Sequence, residues 1–232
     1  MNLLNLPNLQ RALAAEACGT ALLVAAVIGS GIMAERLAGG NVAIALLANT
    51  IATGAALVAL ISAFASVSGA HFNPIVTCAE AALGRMAWKR VAPYVIVQIV
   101  AAIAGTLVAH VMFEMPLISW SHHERSGVAI GFSEVVATFG LLTVVFHAAR
   151  ANSNAVPSVA AGWIMAAYWF TASTSFANPA VTIARAMSDS FAGIRPSDVP
   201  LFIAAQVVGG ALAVVLFRWT ANTSIDALAT NR

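Results

Sequence analysis

The chain alternates between long apolar stretches and short polar connections. We predict six membrane-spanning helices, because a helix needs roughly 20 apolar residues to cross a hydrocarbon core of about 30 Å. The six stretches are Leu13–Met33, Val42–Val67, Val91–Phe113, Val128–Ala149, Ser158–Phe170 and Leu201–Trp219. The fifth stretch is short, so we expect it to gain length both from Asn152–Val156 and from Thr171–Ser175.

Composition agrees with a membrane protein, since 60% of the 232 residues are hydrophobic and only 9% are charged. The net charge is +2 and the basic residues are scattered, so no nucleic-acid partner is expected. Cys18 and Cys78 lie in apolar stretches without metal-ligand spacing, and no disulfide, metal site or cofactor is predicted. No nucleotide-binding loop or nucleophile motif indicates an enzyme.

Positive charges around the predicted spans indicate an orientation. Seven basic residues fall on the side of the termini and four on the other side, which predicts an inner (plasma) membrane protein with both termini in the cytoplasm. The seven are Arg11, Arg85, Lys89, Arg90, Arg150, Arg218 and Arg232, and the four are Arg36, Arg125, Arg185 and Arg195.

An internal repeat is the most informative pattern. The segment Asn73-Pro-Ile-Val-Thr77 is matched by Asn178-Pro-Ala-Val-Thr182. Each copy has a glutamate in its first span and a glutamine in its third, which are Glu16 and Gln98, then Glu134 and Gln206. Each copy holds three spans, so the second must enter the membrane from the opposite side. We therefore predict one channel domain over residues 1–232, with inverted repeats at about 1–120 and 121–232.

Both Asn-Pro segments open short helical patterns, Pro74 to about Leu83 and Pro179 to about Met187. Asn suits the cap and Pro the first turn of a helix, so two half-helices are predicted. The preceding non-helical segments, 66–72 and 172–177, are expected to border a pore, because such backbone is tolerated at membrane depth only against protein or water. Two half-helix N-termini meeting at the centre would oppose cations.

The segment Ser68-Gly-Ala-His-Phe-Asn-Pro-Ile-Val-Thr77 resembles the first signature of the aquaporin, or major intrinsic protein, family, and the resemblance covers essentially the whole chain. It implies an all-α membrane protein with a right-handed barrel of six transmembrane helices plus two re-entrant half-helices. It also implies a homotetramer with one pore per subunit. By this resemblance the pore constriction comprises Asn73, Pro74, Ile75, Asn178, Pro179 and Ala180, and Glu16 and Glu134 brace the loops.

Two positions depart from the family pattern. Ile75 stands where the family usually has Ala, which should alter packing more than chemistry. Val181 stands where the family usually has an Arg that narrows the outer mouth and repels cations. A valine has neither the donors nor the charge of a guanidinium, so a wider and less polar mouth is expected.

The remaining filter positions are carried over from the family by counting from the Asn-Pro boxes. Counting back from them gives Thr53 and Ser175, and for the fifth span Ala166. A count from Pro157 instead gives Tyr168. The predicted selectivity filter of Thr53, Ala166, Ser175 and Val181 contains no charge and little bulk.

The leading hypothesis is passive conduction of small neutral solutes, above all arsenite as As(OH)₃, with antimonite, glycerol-like polyols and water as further permeants. This resembles bacterial arsenite-conducting relatives that lack the filter Arg. An ordinary glycerol or water facilitator is the alternative within the family. From other classes, a proton-coupled transporter would use Glu16 or Glu134, and an occluded junction protein would conduct nothing.

Three further features each allow a structural interpretation as well as a functional one. His71 either touches the pore or packs in its loop. The run His122-His123-Glu124 resembles a metal-binding fragment but is favoured as a solvated turn. Arg185, four residues after Val181, either replaces the missing filter Arg or pairs with a loop or faces the outer vestibule.

Overall fold

The computed structural model describes residues 6–229, with side chains over residues 8–221. Its α-helices are α1 (Leu6–Leu37), α2 (Val42–Ser68), α3 (Pro74–Ala82), α4 (Val91–Met112), α5 (Val128–Ala151), α6 (Val156–Phe170), α7 (Pro179–Arg185) and α8 (Val199–Ala229). Short 3₁₀ turns at Trp88–Arg90, Ser153–Ala155 and Pro196–Asp198 lead into α4, α6 and α8. The predicted domain limits and Arg232 lie outside the described residues.

Among the described helices, α1, α2, α4, α5 and α8 are long and apolar enough to cross a membrane. The fifth predicted span is α6, which at ~1.5 Å per residue covers only about 23 Å. Its expected extension is confirmed on the N-terminal side, where a 3₁₀ turn precedes it. The expected extension through Thr171–Ser175 is wrong, because Thr171 takes an extended conformation that ends the helix.

The two halves of the chain pack in the same way. In the first half α1 lies against α2 and α4, and in the second half α5 lies against α6 and α8. The halves then interlock, since α2 contacts α6, α3 contacts α8 and α4 contacts α7. The two half-helices α3 and α7 also touch each other, which brings both Asn-Pro segments to the middle of the bundle.

The boundaries of α2 follow from its flanking residues. The Asn41 side chain caps its first turn by accepting hydrogen bonds from the backbone N–H groups of Ala43 and Ile44, at 3.1 and 3.2 Å. Gly69 ends the helix in the left-handed region with φ 91°, which favours glycine. The re-entrant segment therefore begins at Gly69, three residues later than the sequence predicts.

Glycines allow close contact between helices in both halves of the chain. A β-carbon at Gly209 of α8 would collide with the Val135 carbonyl oxygen of α5. In the first half Gly105 of α4 meets the Ala21 carbonyl of α1 in the same way. Both contacts let helix backbones approach directly, as small residues do between membrane helices.

Candidate functional site: a central cavity between two half-helices

A cavity of about 510 Å³ runs beside the meeting point of α3 and α7. It extends from Glu80 and Asn154 at one end to Arg185 at the other. We call this space the central cavity. Both halves of the chain supply polar side chains to its wall, among them Thr53, His71, Asn73, Tyr168, Ser175, Asn178 and Arg185.

Asn73 and Asn178 cap the two half-helices, as predicted from the sequence. Each has an extended backbone and is followed by proline in the first helical turn. The Asn73 Oδ1 accepts from the Ile75 N–H at 2.9 Å. The Asn178 Oδ1 accepts from the N–H groups of Ala180 and Val181, at 3.0 and 3.3 Å. These bonds fix which face of each amide remains for other partners.

The two asparagines also tie the halves together. The Asn73 Nδ2 donates to the Ala177 carbonyl at 2.7 Å, and the Asn178 Nδ2 donates to the Phe72 carbonyl at 2.8 Å. An amide nitrogen carries two protons, so each asparagine keeps one N–H beyond this bond. Because both asparagines line the central cavity, that second N–H is the donor available to an oxygen inside it.

The loops before the asparagines are strained in the same places. Ala70 and Phe72 have φ values of 50° and 49°, and Ser175 and Ala177 have φ values of 49° and 48°. In both repeats these are the positions three and one before the asparagine. Left-handed backbone is unfavourable for residues with a β-carbon, and such strain persists only where surrounding contacts impose it.

In the first repeat the contacts that impose it converge on Glu16. Its Oε1 accepts from the Ser68 hydroxyl at 2.7 Å and from the His71 N–H at 2.9 Å. Its Oε2 accepts from the Phe72 N–H at 2.7 Å and from the Gln98 Nε2 at 2.8 Å. The carboxylate therefore holds the N–H groups of the loop, so its carbonyl oxygens remain available to other partners, such as the Asn178 side chain at Phe72.

Glu134 has the matching position in the second repeat. It accepts from the N–H groups of Phe176 and Ala177, both at 2.9 Å, and from the Gln206 Nε2 at 2.7 Å. Glu16 and Glu134 are both fully buried, and neither forms part of the wall of the central cavity. Their acceptor capacity is used by the loops, which suits a brace better than a proton-carrying site.

The end of the cavity beside α7 is formed by Thr53, Tyr168, Ser175, Val181 and Arg185, and we call it the α7 mouth. The Tyr168 hydroxyl donates to the Thr53 Oγ1 at 3.3 Å. The Ser175 Oγ is buried and has no hydrogen-bond partner. Three of the four residues predicted for the selectivity filter, Thr53, Ser175 and Val181, therefore line the cavity.

The fourth predicted filter residue, Ala166, is misplaced. Its side chain is exposed on the outer surface of α6, whereas Tyr168 lies on the cavity wall. Two residues along a helix are separated by roughly 200°, so a register error of two exchanges inner and outer faces. Tyr168, the alternative obtained by counting from Pro157, lines the cavity instead of Ala166. Its phenol ring makes the mouth bulkier and more polar than expected.

Within the Asn-Pro boxes, the asparagines reach the cavity and the following residues do not. Pro74, Pro179 and Ala180 are buried in the first turns of their half-helices. Ile75, which was expected to share the constriction, packs through its Cγ2 on the position where Gly210 has no side chain. Ile75 is therefore a packing residue, and Val76 and Val181 are the apolar half-helix residues on the cavity wall.

Two arginines beside the α7 mouth complete the site. Arg185 lines the cavity, its Nε donates to the Ala192 carbonyl, and its guanidinium lies over the Phe176 ring. The sequence had left open whether Arg185 pairs with a loop or takes part in the filter, and the structure places it both against the loop and on the cavity wall. Arg125 lies against the same ring. Its role had no sequence signal, because its partners Ser173 and Gly193 are distant in the chain.

The histidines have ordinary partners. The His71 Nδ1 contacts the Thr77 hydroxyl at 3.0 Å while its ring lines the cavity, so both interpretations of this residue hold. The His122 ring pairs with Asp189 at 3.0 Å, and Glu124 pairs with Arg195 at 3.4 Å. Among the side chains that the structure describes, residues 8–221, no cluster of three or more His, Cys, Asp or Glu could hold a metal ion.

The sequence pattern of the family described as "Major intrinsic protein" matches residues 4–174, well over half of the chain. The chain belongs to the major intrinsic protein family. Aquaglyceroporin AqpS of Rhizobium meliloti is 51% identical over 212 residues, covering 91% of each chain. Aquaporin Z of Bradyrhizobium diazoefficiens is 29% identical over 221 residues, covering 89% of this chain and 91% of the relative.

Among solved structures, the aquaglyceroporin from Plasmodium falciparum superposes with a TM-score of 0.67 at 18% identity. The match covers 97% of this chain and 100% of the other. At that identity the likeness establishes the fold. This major intrinsic protein is therefore an all-helical membrane channel of the aquaporin type, and its family is not one of enzymes.

Proposed function

We propose that this major intrinsic protein passively conducts small neutral solutes that carry hydroxyl groups, with As(OH)₃ as its leading substrate. Antimonite, glycerol-like polyols and water are the other permeants in this proposal. The observation that carries it is Val181 on the wall of the α7 mouth. A side chain without charge or donors at this point leaves room for a solute larger than water.

The central cavity offers such a solute alternating donors and acceptors. Asn73 and Asn178 each keep one N–H, and the carbonyls of Phe72 and Ala177 keep a lone pair beyond the bonds already described. The unpartnered hydroxyl of Ser175 adds a group that can donate or accept. A neutral trihydroxide can exchange its hydration for these partners, and Val76 and Val181 complete an apolar wall.

A plain glycerol and water facilitator is the second candidate. It is favoured by the names of the relatives, one an aquaglyceroporin and the other an aquaporin. The mouth does not separate the two candidates by chemistry, because glycerol and As(OH)₃ both present three hydroxyl groups. Proton-coupled transport is not proposed, since both candidate carboxylates are occupied by loop hydrogen bonds away from the cavity.

We further propose a homotetramer in the inner membrane, with one cavity per subunit and both termini in the cytoplasm. Support for the orientation comes from the seven-to-four distribution of basic residues. Support for assembly and bilayer contact comes from apolar side chains exposed around the bundle, such as Ile96, Val100, Val207 and Val215.

The test is stopped-flow light scattering on proteoliposomes, with water, glycerol and arsenite fluxes compared for the parent and Val181→Arg. We expect the arginine variant to lose arsenite and glycerol flux and to keep water flux, because a long charged side chain fills the mouth. Val181→Met is the matched control, because methionine is a long side chain without charge. It should reduce arsenite and glycerol flux less than the arginine variant does. Water flux without arsenite flux in the parent would refute the arsenite assignment and leave the facilitator.

A further inference from the structure

The α7 mouth retains a fixed positive charge in spite of Val181. Arg185 follows Val181 by four residues, one turn later in α7. Helical side chains lean toward the N-terminus and cover the preceding turn. Arg185 therefore reaches back toward the level of Val181, and both residues line the same cavity.

The Arg185 guanidinium is held rigidly in this position. Its Nε donates to the Ala192 carbonyl, and its Cζ lies 3.4 Å from the centroid of the Phe176 ring. The side chain is 2% exposed. None of the ion pairs found among residues 8–221 involves Arg185, so its charge is not neutralised by a contacting carboxylate.

A second cation reinforces the first. The Arg125 Cζ lies 5.1 Å from the centroid of the same Phe176 ring. Its Nε donates to the Gly193 carbonyl at 2.8 Å, and its Nη1 donates to the Ser173 carbonyl at 3.2 Å. Burial lowers the pKa of Arg125 to about 10, so it remains charged at neutral pH. The Asp198 carboxylate accepts from the Arg125 backbone N–H at 2.8 Å and pairs with the Arg195 guanidinium. The buried Glu134 carboxylate accepts from Phe176, Ala177 and Gln206.

From this arrangement we propose that Arg185, supported by Arg125 across the Phe176 ring, is the specificity residue that excludes cations from this channel. Arg185 supplies the positive charge that Val181 lacks. Because Arg185 lies one turn farther along α7, the space beside Val181 stays open to neutral solutes. The mouth thus selects by size and by charge at different residues. The apolar wall at Val181 leaves room for larger neutral solutes, and the arginine pair repels cations. This inference rests on the channel family and not on which neutral solute passes.

The experiment measures potassium and proton entry into proteoliposomes with enclosed fluorescent indicators. Arg185→Gln keeps a donor for the Ala192 carbonyl but removes the charge, whereas Arg185→Lys keeps the charge without the planar fork. Each variant is first shown to unfold cooperatively on heating and to give a water flux faster than that of empty liposomes. We expect the glutamine variant to raise cation entry at least tenfold and the lysine variant to stay within about twofold of the parent.

Arg195→Gln is the matched control, because Arg195 also lies in a loop near this mouth but pairs with Asp198 and Glu124 and does not line the cavity. It should not change cation entry. Equal leaks in the glutamine and lysine variants would overturn the proposal and make Arg185 a loop anchor. No leak in either variant would also overturn it, because another barrier would then suffice.

A titratable variant keeps the test decisive if the glutamine variant fails to assemble. Arg185→His carries a charge in acid and loses it as pH rises, so one protein sample provides both states. We expect potassium entry to be low at pH 5 and to increase severalfold at pH 8. A potassium flux independent of pH would contradict a charge barrier at this position.

Discussion

Replacing Glu16 by glutamine probes how the re-entrant loop is held. Glu16 accepts four hydrogen bonds, two of them from the strained loop N–H groups of His71 and Phe72. Glutamine retains one acceptor oxygen and turns the other into an amide donor that faces existing donors. Two of the four bonds are therefore lost in either orientation of the amide.

The magnitude follows from the kind of bond. A hydrogen bond to a charged group contributes about 1.5–3 kcal/mol, so the loss of two destabilises the fold by roughly 3–6 kcal/mol. At about 2–4 °C per kcal/mol for a chain of this size, we expect the melting temperature to fall by roughly 6–24 °C. Water flux should fall as well, because Phe72 positions the carbonyl that contacts Asn178.

The melting temperature is measured in detergent by thermal unfolding followed through tryptophan fluorescence. The water flux is measured by stopped-flow light scattering on proteoliposomes. The matched control is Glu35→Gln on the same helix, where an exposed carboxylate accepts one hydrogen bond, from the Phe191 N–H at 3.0 Å. It should cost less than about 1 kcal/mol. If Glu16→Gln melted within about 2 °C of this control and conducted water equally well, the brace would be refuted.

Three further outcomes follow from the packing and the loops. Tyr168→Ala should raise glycerol flux relative to water flux, whereas Ala166→Leu on the outer face of the same helix should leave the ratio unchanged. Gly210→Ala should destabilise the protein by about 1–3 kcal/mol, and a thermal melt of the double variant with Ile75→Ala should show non-additive recovery. Hydrogen bonds from the facing loop lower the pKa of Asp189, so its contribution, under about 1 kcal/mol, is present above the usual Asp pKa of about 3.9 and lost in stronger acid. The difference in melting temperature between the parent and Asp189→Asn should therefore shrink as the pH falls below about 3.9 and vanish once the pH lies below the lowered pKa of Asp189.

The sequence predicts the caps and half-helices well because these depend on local chemistry. An asparagine followed by proline favours a helix start, and the repeat places two such starts together. The repeated order of glutamate, Asn-Pro box and glutamine marks Glu16 and Gln98 as related positions, and the family resemblance implies that Glu16 braces the loop. These features are encoded over a few residues or repeated in the chain, so pattern alone reveals them.

The α7 mouth was predicted less well for a physical reason. Thr171–Ala177 is non-helical, so counting residues through it does not give the angular position of the residues before it on α6. The choice between Ala166 and Tyr168 therefore needed coordinates. Arg125 could not be assigned at all, because it reaches the mouth through carbonyls of Ser173 and Gly193 that only the folded chain brings near.

The most direct test of the account is whether the purified protein equilibrates arsenite passively. Arsenite inside proteoliposomes is measured over time by elemental mass spectrometry, with and without an imposed proton gradient and an uncoupler. We predict rapid entry that stops at the external concentration and is unaffected by the gradient or by the uncoupler. Entry no faster than into empty liposomes would contradict the proposed substrate, and accumulation above the external concentration that collapses with the uncoupler would contradict a channel.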